Sequence, residues 1–121
     1  MVICVDFDGT CVEHCYPDVG QSAPQAVRVL KKLVEQGHKL ILWTMRDAIE
    51  LGHAQQWFKD NEIPLYASQR NPTQDDWTLS PKCHAQLYID DAAFGCPLIQ
   101  PFGYKRPCVD WKAVEAALIK E

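Results

Sequence analysis

Val2-Ile3-Cys4-Val5-Asp6-Phe7-Asp8-Gly9-Thr10 opens with four apolar residues that run directly into two aspartates, a glycine and a threonine. An unbroken apolar run closed by a turn residue is the pattern of a strand buried on both faces, as in a parallel sheet. The aspartates then fall at the strand's C-terminal end, where open α/β sheets form their ligand crevices. Side chains alternate along extended backbone, so Asp6 and Asp8 share one side. Two carboxylates crowded at a strand end repel unless a cation or a shared proton relieves them. Gly9 lets the chain turn away and brings its amide close to whatever binds there.

Downstream, residues 11–21 carry Pro17 and Gly20 and read as irregular. Ser22, Pro24 and Gln25 form a capping box that opens a helix. Its apolar face is Val27, Val29, Leu30, Leu33 and Val34, and Gly37 stops it. Residues 39–43 read as a second strand ending at Thr44-Met45-Arg46. The order strand, helix, strand predicts a right-handed crossover and parallel pairing, which puts Thr44 at the same sheet edge as Asp6. Asp47 caps a second helix reaching about residue 60, with Ile49, Ala54, Trp57 and Phe58 inward. Residues 64–67 suit a short third strand. Residues 68–81 are polar and contain prolines, a loop of the length usually given to function or mobility. Residues 85–89 form a fourth strand ending at Asp90-Asp91, and residues 98–100 a short fifth strand at an edge. Asp110 caps a last helix with Trp111, Val114, Ala117 and Leu118 recurring at helical spacing. The predicted class is α/β, a three-layer Rossmann-like parallel sheet with helices on both faces.

The chain has 121 residues, enough for one domain (1–121) with a substantial core and too few for two ordinary ones. Apolar residues make up 47% and charged residues 23%, as in globular proteins. A formal charge of -4 gives no strong nucleic-acid signal and no attraction to an anionic membrane. No apolar run is long enough to span a bilayer. No basic region precedes the first apolar run, so no signal peptide is read and a cytoplasmic location is expected. The six cysteines (4, 11, 15, 83, 96 and 108) lack a secretory context and read as free thiols. A zinc site drawn from Cys11, His14, Cys15, Cys83 and His84 would lack the usual Cys-x-x-Cys pair.

Polar residues thus gather at one edge: Asp6 and Asp8, Thr44, then Asp90 and Asp91, with Lys82 just before the fourth strand. A hard cation such as Mg2+ suits the carboxylates and shares its coordination readily with a phosphate. Thr44 and Lys82 suit the remaining phosphate oxygens, and Arg46, two residues after Thr44, competes with Lys82 for that role.

In this order the residues resemble the haloacid dehalogenase-like hydrolase superfamily. Its four motifs are matched by Asp6-Phe7-Asp8-Gly9-Thr10, by the strand ending in Thr44, by Lys82, and by Ile89-Asp90-Asp91. The resemblance implies a phosphatase acting on a phosphomonoester. Asp6 would be the nucleophile that becomes an aspartyl phosphate, and Asp8 the general acid, then base. Mg2+ would be held by Asp6, the Asp8 backbone carbonyl, and Asp90 or Asp91. Thr44 and Lys82 would hold the phosphoryl group. Neither the segment after the first motif nor residues 47–81 leave room for a cap domain, so the chain resembles capless members. Such a site is open. It implies a bulky phosphorylated substrate, or closure by another subunit of a homo-oligomer or by the loop at 68–79. A phosphorylatable, Mg2+-binding receiver-like module without hydrolase activity is the alternative, but there the paired acids come first rather than last. A dehalogenase proper would not need Asp8, Asp90 and Asp91. His14, Arg70, Trp77, Lys105 and Arg106 are further residues able to face an open site, each with an ordinary surface or packing reading.

Overall fold

The computed structural model describes residues 1–120. In chain order it contains β1 (Val2–Val5), α1 (Ala26–Glu35), β2 (Lys39–Leu42), α2 (Ala48–Asp60), β3 (Ala67–Ser68), a 3₁₀ turn (Gln74–Asp76), β4 (Leu87–Ile89), β5 (Leu98–Ile99), β6 (Cys108–Val109) and α3 (Trp111–Leu118). β1 to β4 form a sheet of order β3-β2-β1-β4 with every pairing parallel. The α/β class expected from the sequence is present. β1 is central, with Ile3 beside Leu40 and Leu87, and Val5 beside Leu42 and Ile89. No inserted cap interrupts the elements among the described residues.

Alternation along β1 and β2 divides the core. Ile3, Val5, Leu40 and Leu42 pack with Ala26, Val29, Leu30 and Leu33 of α1, with Trp57 and Phe58 of α2, and with Trp111 and Val114 of α3. Cys4 and Ile41, on the other face, pack instead with Cys83 and are flanked by Trp43, Ala85 and Tyr88. The handedness of parallel crossovers explains the division. Steps from β1 to β2 and from β2 to β3 run in one direction, so α1 and α2 share a face. The return from β3 to β4 runs the opposite way and must cross the other face.

That return is residues 69–86, and its only helical piece is the 3₁₀ turn. The expectation of helices on both faces is therefore corrected: all three α-helices lie on one. Polar composition and two prolines, Pro72 and Pro81, leave the return without a helical apolar stripe. Buried side-chain amides organise it instead. Gln74 Nε2 donates to Ser80 O (3.0 Å) and Lys82 O (2.7 Å), while its Oε1 accepts from His84 N (2.8 Å). Asn71 Nδ2 donates to His84 O at 3.0 Å.

Several local expectations shift. The Ser22 capping box does not form. α1 starts at Ala26 after Gln25 in the left-handed region, and Ser22 Oγ accepts from Trp57 Nε1 at 3.1 Å. Asp47 precedes α2 without a capping bond, whereas Asp110 Oδ1 accepts from Ala113 N at 3.2 Å. Ile49 is exposed, not inward, because it sits in the first turn of α2, beyond the sheet. Ala117 is also exposed, in the last turn of α3. The third strand lies at Ala67–Ser68, later than expected. The fifth pairs antiparallel with β6 rather than extending the main sheet.

Candidate active site

β1 leads away to β2 on one side, and β4 lies on the other. The C-terminal ends of β1 and β4 therefore flank the point where the strand order reverses, the usual crevice of an open α/β sheet. Asp6 leaves β1 there, its N–H donating to Ile89 O of β4 at 3.0 Å. Asp90 and Asp91 leave β4 beside it. One carboxylate oxygen from each of Asp6, Asp90 and Asp91 lies within 4.8 Å of the others. The buried Thr10 hydroxyl ties the strand ends together: it donates to Asp6 Oδ2 at 3.0 Å and accepts from Asp91 N at 3.2 Å. Gly9 has φ +80°, and a Cβ there would collide with Asp91 Oδ2 and stand 2.9 Å from Asp91 Cγ. Only glycine permits this approach.

Burial, then the charge of Asp90, then a hydrogen bond with Asp91 push Asp6 up to about 8. Asp90 is also raised, first by burial. Such crowding is the repulsion that a divalent cation relieves. The donor set is entirely carboxylate oxygen, which fits Mg2+ and does not fit a soft metal. No thiol belongs to this cluster, although Cys11 Sγ donates to Asp6 O at 3.3 Å. All six are free, with Cys11 and Cys108 on the helical side of the sheet and Cys83 on the other.

Asp8 is not part of this cluster and pairs instead with Arg46. The Arg46 guanidinium is 1% exposed and donates to both Asp8 oxygens at 2.8 Å, from Nε and from Nη2. Its remaining N–H groups reach Asp18 O (2.7 Å), Pro17 O (3.1 Å) and Glu50 O (3.3 Å). It lies 5.1 Å from the ring centres of both Phe7 and Tyr16. All five donors of a guanidinium are thus engaged within the protein. Arg46, read from the sequence as a rival phosphate ligand, has none left for a phosphate. It fixes Asp8 and the 17–18 segment.

Thr44 reaches the same edge. Its hydroxyl accepts from Arg46 N at 3.2 Å, and its backbone is gripped by the Gln69 side chain, at Thr44 N (2.9 Å) and Thr44 O (2.7 Å). Gln69 carries no signal in the sequence, because a third strand at residues 64–67 would leave it in the loop beyond the strand end. With β3 at Ala67–Ser68, position 69 is a strand end at the crevice. A cavity of about 530 Å³ joins Asp6, Asp8, Thr44, Arg46, Asp90 and Asp91, and His14, Tyr16, Met45, Ala92 and Arg106 complete its wall.

Lys82 is not brought to this site. It precedes the N-terminal end of β4, where Gln86 N donates to Val2 O, whereas the acids follow the C-terminal end. Its ammonium lies 5.5 Å from the Tyr88 ring centre and lines a separate groove with Gln74, Trp77 and His84. Proximity in sequence to the fourth strand misled because a parallel strand separates its two ends across the sheet.

No family model and no curated protein matches the chain. Among solved structures, a conserved protein from Bacteroides thetaiotaomicron is similar to it at 34% identity, with a TM-score of 0.80 over 100% of this chain and 93% of that one. The chain belongs to the family of that protein. The α/β architecture is shared by these two family members along the whole of the present chain. Among the described residues, no helix is long and apolar enough to cross a membrane.

Proposed function

We propose that the protein is a Mg2+-dependent phosphatase of the haloacid dehalogenase-like type, hydrolysing a phosphomonoester through an aspartyl phosphate on Asp6. The carrying observation is the division of four acids: three converge within 4.8 Å, and Asp8 pairs instead with Arg46. A metal cluster and a separate proton carrier need that division. On this reading the fold is a reduced Rossmann-like three-layer arrangement, with residues 69–86 in place of the second helical layer.

Asp6, the Asp8 backbone carbonyl, and Asp90 or Asp91 would hold Mg2+, which when bound neutralises phosphate charge. An Asp6 carboxylate oxygen attacks phosphorus, and the bond to the leaving oxygen breaks. Asp8 gives that oxygen a proton. Asp8 then takes a proton from water, whose oxygen displaces Asp6 and releases inorganic phosphate. Both Asp8 oxygens accept from Arg46 at rest, and each keeps a second lone pair for the proton it carries. Thr44 offers its hydroxyl to the phosphoryl group. Among the described residues the site has no cap, which favours a bulky substrate or cover from a second subunit.

Asp8→Asn tests this directly. With Mg2+ and an activated aryl phosphate, whose leaving group needs no proton, the variant should accumulate phosphate on the peptide containing Asp6 after acid quenching. An adduct on Asp8, Asp90 or Asp91 would reassign the nucleophile. Continued turnover without any adduct would mean that water attacks phosphorus directly. A stable adduct on the unmodified protein, with no phosphate release, would favour a receiver-like module.

A further inference from the structure

We propose that Arg106 is the cation that binds the phosphoryl oxygens in this cavity, the part that Lys82 does not reach to play. The inference rests on the phosphatase reading of the same cavity. Two arginines line the wall, and Arg46 has spent all five donors inside the protein. Arg106 is exposed and, among the described residues, has no hydrogen-bond or ion-pair partner. It is the free guanidinium at the mouth of a cavity that carries four carboxylates. A phosphate entering there is repelled unless a cation other than the metal meets its outer oxygens.

The backbone around Arg106 is anchored to the motif it would serve. Residue 106 lies in the turn between β5 and β6. On one side of it, the Tyr104 hydroxyl donates to Ser22 O at 3.4 Å. On the other, Val109 N donates to Gly9 O at 3.1 Å, and Trp111 Nε1 to Thr10 O at 2.8 Å. The β5–β6 turn is therefore fixed to the loop that carries Asp6 and Asp8, and its position follows theirs. Only the side chain is free to move. A planar fork on such a mount suits two non-bridging oxygens of a phosphomonoester.

The test compares Arg106→Ala, Arg106→Lys and Lys82→Ala with the unmodified protein in saturating Mg2+. Hydrolysis of 4-nitrophenyl phosphate and calorimetric binding of inorganic phosphate are measured together with melting temperature. Arg106→Ala should lower kcat/KM about 10²-fold, as loss of one charge-stabilising donor does. Phosphate affinity should drop about tenfold or more at unchanged melting temperature, since the side chain makes no internal bond. Arg106→Lys should recover part of both, and Lys82→Ala should match the unmodified protein. Native phosphate binding and turnover in Arg106→Ala would overturn the inference while leaving the phosphatase reading intact. So would a collapse of both in Lys82→Ala alone. An unmodified protein that neither hydrolyses the ester nor binds phosphate would overturn the phosphatase reading, and this inference with it.

Discussion

Replacing Arg46 with alanine distinguishes a clasp on Asp8 from a substrate ligand, and the structure sets the size of the effect. The side chain is 1% exposed, and the paired Asp8 is 13% exposed. Removing one partner of a buried ion pair costs about 3–5 kcal/mol, because the other charge is left without its counterpart. Partial exposure of Asp8 lets water recover some of this, which favours ~3 kcal/mol. The carbonyls of Pro17, Asp18 and Glu50 also lose a donor. Pro17 and Asp18 are exposed, so water replaces much of the loss and the addition is about 1–2 kcal/mol in all. At about 4 °C per kcal/mol for a chain of this length, the melting temperature should fall by roughly 16–20 °C. Turnover should fall by about 10²–10⁴-fold as Asp8 loses its position. Thermal denaturation followed by tryptophan fluorescence gives the first number and aryl phosphate hydrolysis the second. A double-mutant cycle with Asp8→Asn isolates the coupling between the two residues. A variant that melts within about 4 °C of the unmodified protein and yet loses phosphate affinity would refute the clasp.

Three further outcomes are expected. Asp6→Asn should fold normally, as its circular dichroism will report, but show no turnover, because the amide is nearly isosteric and a poor nucleophile. Gly9→Ala should cost about 1–2 kcal/mol for left-handed backbone; by displacing Asp91 it should also weaken Mg2+ binding about 10–100-fold in a calorimetric titration. Glu115 bridges α3 to α1 through Arg28 first and Lys32 second, which hold it at about 2. A depressed carboxylate stabilises the fold above its unfolded value and loses that contribution as pH falls through its folded value. The melting-temperature gap between the unmodified protein and Glu115→Gln should thus close between about pH 5 and 2.

The central strand and its acids were legible because Val2 to Thr10 carries its own punctuation: apolar to the strand end, then Asp, then Gly. β4 with Asp90 and Asp91 repeats the pattern. Thr44 followed from the handedness of one crossover. The misplacements share a cause. Lys82 and Arg46 are cations whose place depends on long-range pairing, of β4 with β1 for Lys82 and of Arg46 with Asp8, and no local periodicity records that. Arg46 finds its acceptors 28–38 residues upstream as well as four downstream. The second face was misread because the direction of the β3-to-β4 return depends on strand order, which follows from long-range pairing. Gln74 gave no signal either, since a buried amide that holds a loop looks like any polar residue in one.

The one-sided placement of the helices gives the sheet unequal resistance to opening. Its helical side is secured by large apolar groups such as Trp111, Phe58 and Leu30. Its other side is closed chiefly by Cys83 and the amide bonds of Gln74 and Asn71. Regions with little apolar burial open at lower free energy than the rest of a domain. A fluctuation that lifts residues 69–86 uncovers Cys4 and Cys83 together, while β1 and β2 keep their helical packing. With the chain closed, burial first and then Cys83 raise the Cys4 thiol well above its usual range, and it stays protonated and inert. Labelling of these two thiols by a small disulfide reagent therefore clocks that one motion. Amide protons of 69–86 should exchange on the same clock, faster than those of α1. Gln74→Ala should quicken both together.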